Sequence, residues 1–231
     1  MSNFTITILP KKYFAHGRMR LNTQLSQFLE NAMRINLNGL ILGFALLVSL
    51  SLSAQNVQRN YKVLFNGEDI GWLRLEADKA GSKVNLQLTS EIKTKIVFPV
   101  TVVAKEFSTF EDGKLIYSSQ FRTTNGTTKL DKQTKLVGDR YVVSEDGEKE
   151  ELSFASIYAT ILCLYFQEPV NLETVYCEKR SSVSNIKKTK DGGYEIKFSN
   201  GNSNCFYYED GVCTKVKIEH LFYQAEIVFS P

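Results

Sequence analysis

The sequence predicts an all-β fold, mainly β with one helix. The expected form is a large curved antiparallel meander sheet, or open half-barrel, with that helix on its concave face. Three observations carry this. Turn signals recur at short intervals after residue 55, apolar and polar residues alternate between them, and Ser153 to Gln167 is a lone apolar stretch.

The elements follow in chain order. Leu37 to Ala54 (LNGLILGFALLVSLSLSA) is an apolar core closing on small residues, with Arg34 before it. That is the order of a secretory signal peptide, with cleavage expected between Ala54 and Gln55. The core is short for a membrane span of about 20 residues, so no stable span is expected after cleavage. Met33-Arg34 would open a signal of normal length, so 33–54 reads as the signal and 1–32 as an upstream extension. Residues 55–231 form a single β-rich domain, exported to the periplasm or secreted.

Within it, Asn66-Gly67, Asp78 to Gly81, Asp112-Gly113, Asn125-Gly126, Gly138-Asp139 and Asp146-Gly147 mark turns. Asp191-Gly192-Gly193, Asn200-Gly201 and Asp210-Gly211 continue the series. Asn-Gly and Asp-Gly accept the positive φ angles of tight hairpins. Between them, Val84, Leu86, Leu88 and Ile92 oppose Asn85, Gln87, Thr89, Glu91 and Lys93. Tyr194, Ile196 and Phe198 oppose Glu195 and Lys197; Val212, Val216 and Ile218 oppose Lys215, Lys217 and Glu219. This alternation suits a sheet covered on one face. Ile96 to Val103 is apolar on both faces and contains Pro99, which has no place in a central ladder; a bend is expected there. In 153–167 the apolar residues fall all round a helix, which places it in an interior. Leu221 to Phe229 reads as a closing strand.

Charge excludes a class. Of 28 basic and 25 acidic residues, five and one lie in 1–54, which leaves 23 against 24 in the remainder. The domain is near neutral and carries no electrostatic footprint for nucleic acid.

With the strands placed, the order of motifs resembles a family of uncharacterised exported bacterial β-proteins known as a domain of unknown function. The matching pieces are Tyr61-Lys62-Val63, Asn66-Gly67, Ile70-Gly71, Phe110 to Leu115 and Leu164 to Pro169. Near the end come Tyr208 to Gly211 and Leu221 to Ala225. The resemblance implies export and a large curved antiparallel sheet, and it brings no catalytic residue.

Chemistry is sparse. The domain has one histidine, His220, beside Glu219, which reads as structural. The spacing of Cys205 and Cys213 is not that of paired zinc ligands, and their diagonal register is poor geometry for a disulfide. Cys163 reads as a small buried hydrophobe. Carboxylates gather at turns (Glu68-Asp69, Glu111-Asp112, Glu145-Asp146, Glu209-Asp210), where acids usually bond their own backbone; no pair is singled out for glycosidase chemistry. The sequence nominates no catalytic residue, no metal ligand and no cofactor. The aromatic residues remain: a hollow between a curved sheet and its helix suits an apolar ligand. Trp72, Phe98, Tyr158, Tyr165 and Phe166 are the candidate binding residues. The expected role is an envelope protein binding a lipid or other apolar small molecule, the alternative a structural or assembly protein that binds another envelope protein.

Overall fold

The computed structural model describes residues 55–95, 98–153 and 156–231; the leader expected over 1–54 lies outside them. The first run of strands is β1 Gln55–Phe65, β2 Glu68–Ala80, β3 Lys83–Lys95, β4 Pro99–Glu111 and β5 Lys114–Thr124. It ends with β6 Thr127–Val137, β7 Arg140–Glu145 and β8 Glu148–Glu151. After a connecting segment come β9 Thr174–Cys177, β10 Ser182–Lys188, β11 Tyr194–Lys197, β12 Ser203–Glu209, β13 Val212–His220 and β14 Tyr223–Ser230. All 14 belong to one antiparallel sheet.

The order is β8-β7-β6-β5-β4-β3-β2-β1-β14-β13-β12-β11-β10-β9. Two meanders are thus joined where β1 pairs with β14, Tyr61 standing opposite Phe229. The end strands β8 and β9 do not pair, so the sheet is open. It rolls nonetheless: Thr134 of β6 hydrogen-bonds Tyr176 of β9 through their hydroxyls at 3.2 Å. Lys132 of β6 donates to the carbonyl of Lys179 at 3.1 Å.

The turn chemistry is as read. Asn66, Asp112, Asn125, Asp146 and Asp210 all adopt positive φ, each followed by a glycine that does the same. Alternation places Leu86 and Leu88 of β3 inside with Leu73, Leu75, Tyr61 and Val63. Pro99 opens β4, where a strand tolerates it. At the other end, Leu221 and Phe222 form the β13–β14 turn rather than part of the closing strand.

The helix over 153–167 is the main correction. Among the described residues there is no α-helix: 156–160 is extended and Ile161–Tyr165 is a 3₁₀ turn. Extended chain serves here because the sheet satisfies its backbone. Ile157 O accepts from Leu115 N at 2.8 Å, and Ala159 O accepts from Tyr176 N at 2.9 Å. Thr160 bridges Tyr176 in parallel. The segment is a strap from one side of the rolled sheet to the other. Apolar periodicity does not separate a buried helix from a buried extended run, so the length of the stretch misled.

The strap fills the concave face. Leu162, Leu164 and Tyr165 are buried against β1, β3, β12 and β13 residues in one continuous core. Tyr165 sits edge-on to Tyr61 (5.6 Å) and Phe206 (5.4 Å); such pairs contribute roughly 0.5–1.5 kcal/mol each beyond burial. Backbone closeness matters elsewhere. At Gly71 of β2, a Cβ would lie 2.2 Å from the carbonyl oxygen of Glu91 on β3.

Gly71→Ala should therefore destabilise the fold by about 1–3 kcal/mol, since β2 and β3 must part to admit a methyl group. Urea unfolding of the variant against the parent reads this directly, and an unchanged midpoint would contradict the close approach.

Candidate functional site

The five aromatic candidates are not brought together. Trp72 alternates with the buried Leu73 and lies on the outer face, partly exposed. Phe98 stands exposed just before β4, and Tyr158 points out of the strap at 67% exposure. Tyr165 and Phe166 lie inside, Tyr165 in its aromatic cage and Phe166 under the Arg59 guanidinium at 5.8 Å. Arg59 also donates to the carbonyl of Tyr165. A groove beside the strap, lined by Ile157, Tyr158, Leu172 and Val183, has a volume of about 90 Å³. Ligand pockets usually run to about 300–1,000 Å³. The apolar hollow is occupied by the protein's own side chains.

A different region of the interior is polar. On β4 and β5 the inward residues include Glu106 and Ser108, then Ser118, Gln120 and Arg122. The register sets Ser108 opposite Ser118, Glu106 opposite Gln120, and Ala104 opposite Arg122. Directly opposed side chains have Cβ atoms about 4.5–5.5 Å apart, so these residues form three adjoining rows. β6 extends the wall with Lys132 beside Gln120 and Thr134 beside Ser118. Over β5 and β6 lies the 3₁₀ turn Glu178–Arg180, which follows β9. Lys132 binds it down: its ammonium reaches Lys179 O, Ser181 Oγ at 3.3 Å and Glu145 Oε2 at 2.7 Å.

Among the described residues, the buried side-chain atoms without a hydrogen-bond partner are Ser108 Oγ, Ser118 Oγ, Gln120 Oε1 and Arg122 Nε. All four stand on this one wall. Leaving a buried polar group unpaired costs about 1–3 kcal/mol, more if charged, and native interiors rarely tolerate it. They are concentrated on two neighbouring strands, and neighbouring protein atoms seal them from water.

The charges are equally local. Burial, reinforced by the Glu106 charge, pushes the Glu178 carboxyl up to about 8, against weaker opposing bonds from Thr160 and the Ile161 N–H. Burial thus favours the neutral form of Glu178, which is 4% exposed and ties its turn to the strap. Burial also raises Glu106, opposed by a hydrogen bond from Gln120 and by Lys179 and Arg122. Burial lowers Lys179, as do Arg122 and Arg180. Burial pushes the Cys163 and Cys177 thiols up to about 11, which leaves them poor nucleophiles. His220 stacks on Tyr223 at 4.6 Å and accepts the Phe222 N–H, holding a turn. Cys205 and Cys213 are free thiols whose register partners are Lys217 and Tyr208.

A groove of about 510 Å³ adjoins the polar wall, lined by Lys132, Arg180 and Ser181 on one side. Its other side is the β7–β8 hairpin with Glu145, Asp146, Glu148, Lys149 and Glu150. Glu106, Gln120, Arg122, Glu178 and Lys179 all escaped sequence reasoning. Alternation in β4 and β5 carried a signal, because Ser108, Gln120 and Arg122 occupy the positions where that face should be apolar.

Comparison with known proteins bears on the fold and the family. A family model described as a domain of unknown function, DUF6134, matches residues 61–230. A solved structure described as a beta-barrel-like protein of domain of unknown function DUF1849, from Brucella abortus, is similar with a TM-score of 0.51. Their sequence identity is 9%, and the match covers 78% of this chain and 98% of that one. A likeness at that identity speaks for the fold alone. No curated protein matches the chain.

Glu178 gives a signed pH effect. A carboxyl whose folded pKa is raised holds its proton more tightly in the native chain than in the unfolded one. Its stabilisation is complete below the ordinary value of 4.5 and is lost as pH rises to about 8. Glu178→Gln keeps the shape without the titration, so its urea midpoint should exceed the parent's at pH 8.5 and approach it at pH 4.5. Parallel pH profiles of the two proteins would contradict the assignment.

Proposed function

The chain belongs to the family of the domain of unknown function DUF6134, and we propose that it is an exported, non-catalytic binding protein of the cell envelope. Its ligand is a small polar molecule held in the groove beside Lys132, Arg180, Ser181 and the β7–β8 hairpin. One observation carries the reading: the groove of about 510 Å³ is lined mostly by charged side chains of both signs, Lys132, Lys149 and Arg180 together with Glu145, Asp146, Glu148 and Glu150. Export rests on the order of the leader, Arg34 followed by Leu37 to Ala54. A lipid on the concave face has less support, because Leu162, Leu164 and Tyr165 occupy that face. The non-catalytic reading is supported by Glu178, whose carboxyl is sealed and engaged with the strap.

A second reading, an envelope protein partner, has one observation in its favour. The β13–β14 turn carries Leu221 and Phe222 at 69% and 88% exposure, where five other tight hairpins carry Asn-Gly or Asp-Gly. Large apolar side chains held on a tight turn are suited to anchoring a partner.

Native mass spectrometry of the chain, expressed in full and recovered from a periplasm, tests both halves. The mature mass should begin at Gln55 and carry an adduct that denaturation releases into the aqueous phase. An adduct extracted only into organic solvent would restore the lipid, and a bare mass would move the weight to a protein partner.

A further inference from the structure

The two sides of the groove beside the β7–β8 hairpin are joined at its floor by one side chain. Lys132 of β6 stands opposite Glu145 of β7 in the ladder, and their charges meet at 2.7 Å. The same ammonium reaches the Lys179 carbonyl at 3.1 Å and the Ser181 hydroxyl at 3.3 Å. An ammonium has three donors, so Lys132 is fully engaged. At 7% exposure it is a strut that ties the Glu178–Arg180 turn to the hairpin.

Away from that floor the charges are sorted by side. Val143 is buried in the core, and side chains alternate along β7, so Glu145 shares its inner face. The register sets Glu150 opposite Val143 and Glu148 opposite Glu145. Partners across a ladder share a face, so both acids front the groove, while Lys149 between them belongs to the other face of β8. Facing them, Arg180 lies over the Phe198 ring at 5.2 Å and donates to Ser199 Oγ at 3.4 Å. Among the described residues, no cation is in ion-pair contact with Glu148 or Glu150, and no carboxylate with Arg180. Opposite charges that line one groove without meeting suit a molecule that carries both signs. With Lys132 and Glu145 set against each other, Asp146, Glu148 and Glu150 outnumber Lys149 and Arg180 by one charge. A molecule that neutralises the groove therefore has one more ammonium than carboxylate. Glu148 and Glu150 are about 7 Å apart along the strand, close to the reach of a lysine molecule between its two nitrogens.

We infer that this groove is the site of a small diamino acid, a zwitterion with two ammonium groups and one carboxylate. Glu148 and Glu150 take the ammonium groups, and the Arg180 guanidinium takes the carboxylate, a partner it can bind through two parallel hydrogen bonds. Lys132 holds the two sides at the separation the molecule fills. The inference rests on the polar-ligand reading above and names its chemistry. The same groups occur at the end of a peptide whose last residue is lysine, and a groove of about 510 Å³ accommodates either source.

The test is titration calorimetry of the exported full chain at constant ionic strength, with L-lysine, cadaverine, ε-aminocaproate and glycerol injected separately. L-Lysine should bind saturably, and at least about tenfold tighter than cadaverine, which lacks the carboxylate, or ε-aminocaproate, which lacks one ammonium. Arg180→Gln should bring lysine down to the level of cadaverine. Glu148→Gln combined with Glu150→Gln changes two exposed side chains of an edge strand, so the fold is kept, and it should abolish binding of both. Arg140→Gln, which removes an exposed pair with Glu151, should leave lysine binding unchanged. If Arg180→Gln does not fold, L-lysinamide against the parent reads the carboxylate contact instead. The tripeptide Ala-Ala-Lys bound more tightly than lysine supports the site and assigns its source to a peptide end; weaker binding supports the free diamino acid. Cadaverine or ε-aminocaproate binding as tightly as lysine overturns the inference, as does lysine binding unaltered in the double variant. Binding of glycerol or ε-aminocaproate without lysine overturns the diamino acid but leaves the polar-ligand reading standing, and silence toward every probe overturns both.

Discussion

The hydroxyl of Tyr141 fixes the strap to the first run of strands. It donates to the carbonyl of Leu115 at 2.7 Å and accepts the Ile157 N–H at 3.2 Å, joining β7, β5 and the strap in the fully buried core. Leu115 N returns a bond to Ile157 O, so the strap is fixed to the sheet on both sides of one residue. From there Thr160 meets β9, and Leu164 accepts the Tyr208 hydroxyl of β12 at 2.6 Å. Because β8 and β9 never pair, the roll of the sheet depends on such cross-links rather than on ladder closure. A buried tyrosine that lost these partners would leave three polar groups unpaired, each costing about 1–3 kcal/mol.

Much of the sheet was legible because its determinants are local. Asn-Gly and Asp-Gly turns announce themselves by backbone sterics, and Leu86, Leu88 and Ile92 alternate whatever lies beyond the strand. The pairing of β1 with β14 was not legible, since it joins the ends of the domain and no local signal encodes it. The strap failed for another reason. Ile157 to Phe166 is apolar on every side, and such a run is compatible with helix or extended chain until the surrounding backbone partners are known.

The polar wall was invisible for a similar reason. Glu106 and Glu178 are 72 positions apart in the chain, and neither sits in a motif. Only the roll of the sheet, with β9 and its turn laid over β5 and β6, makes them neighbours. The acids that sequence reading did single out, at the hairpin turns, include several that stay in water. The interior thus divides by chemistry: β1–β3 and β12–β14 close on an aromatic and aliphatic core, while β4–β6 keep a buried polar layer. A polar layer with unmet bonds lowers stability relative to an apolar one.

The two unpaired ends of the sheet are guarded differently. β9 is shielded by the strap through Thr160 and Ala159, whereas β8 is four residues long and reads Glu-Lys-Glu-Glu, all exposed. A short charged edge repels an approaching copy of itself. The molecule can therefore stay rolled but open, with a free margin in water, without recruiting a second sheet to complete the cylinder.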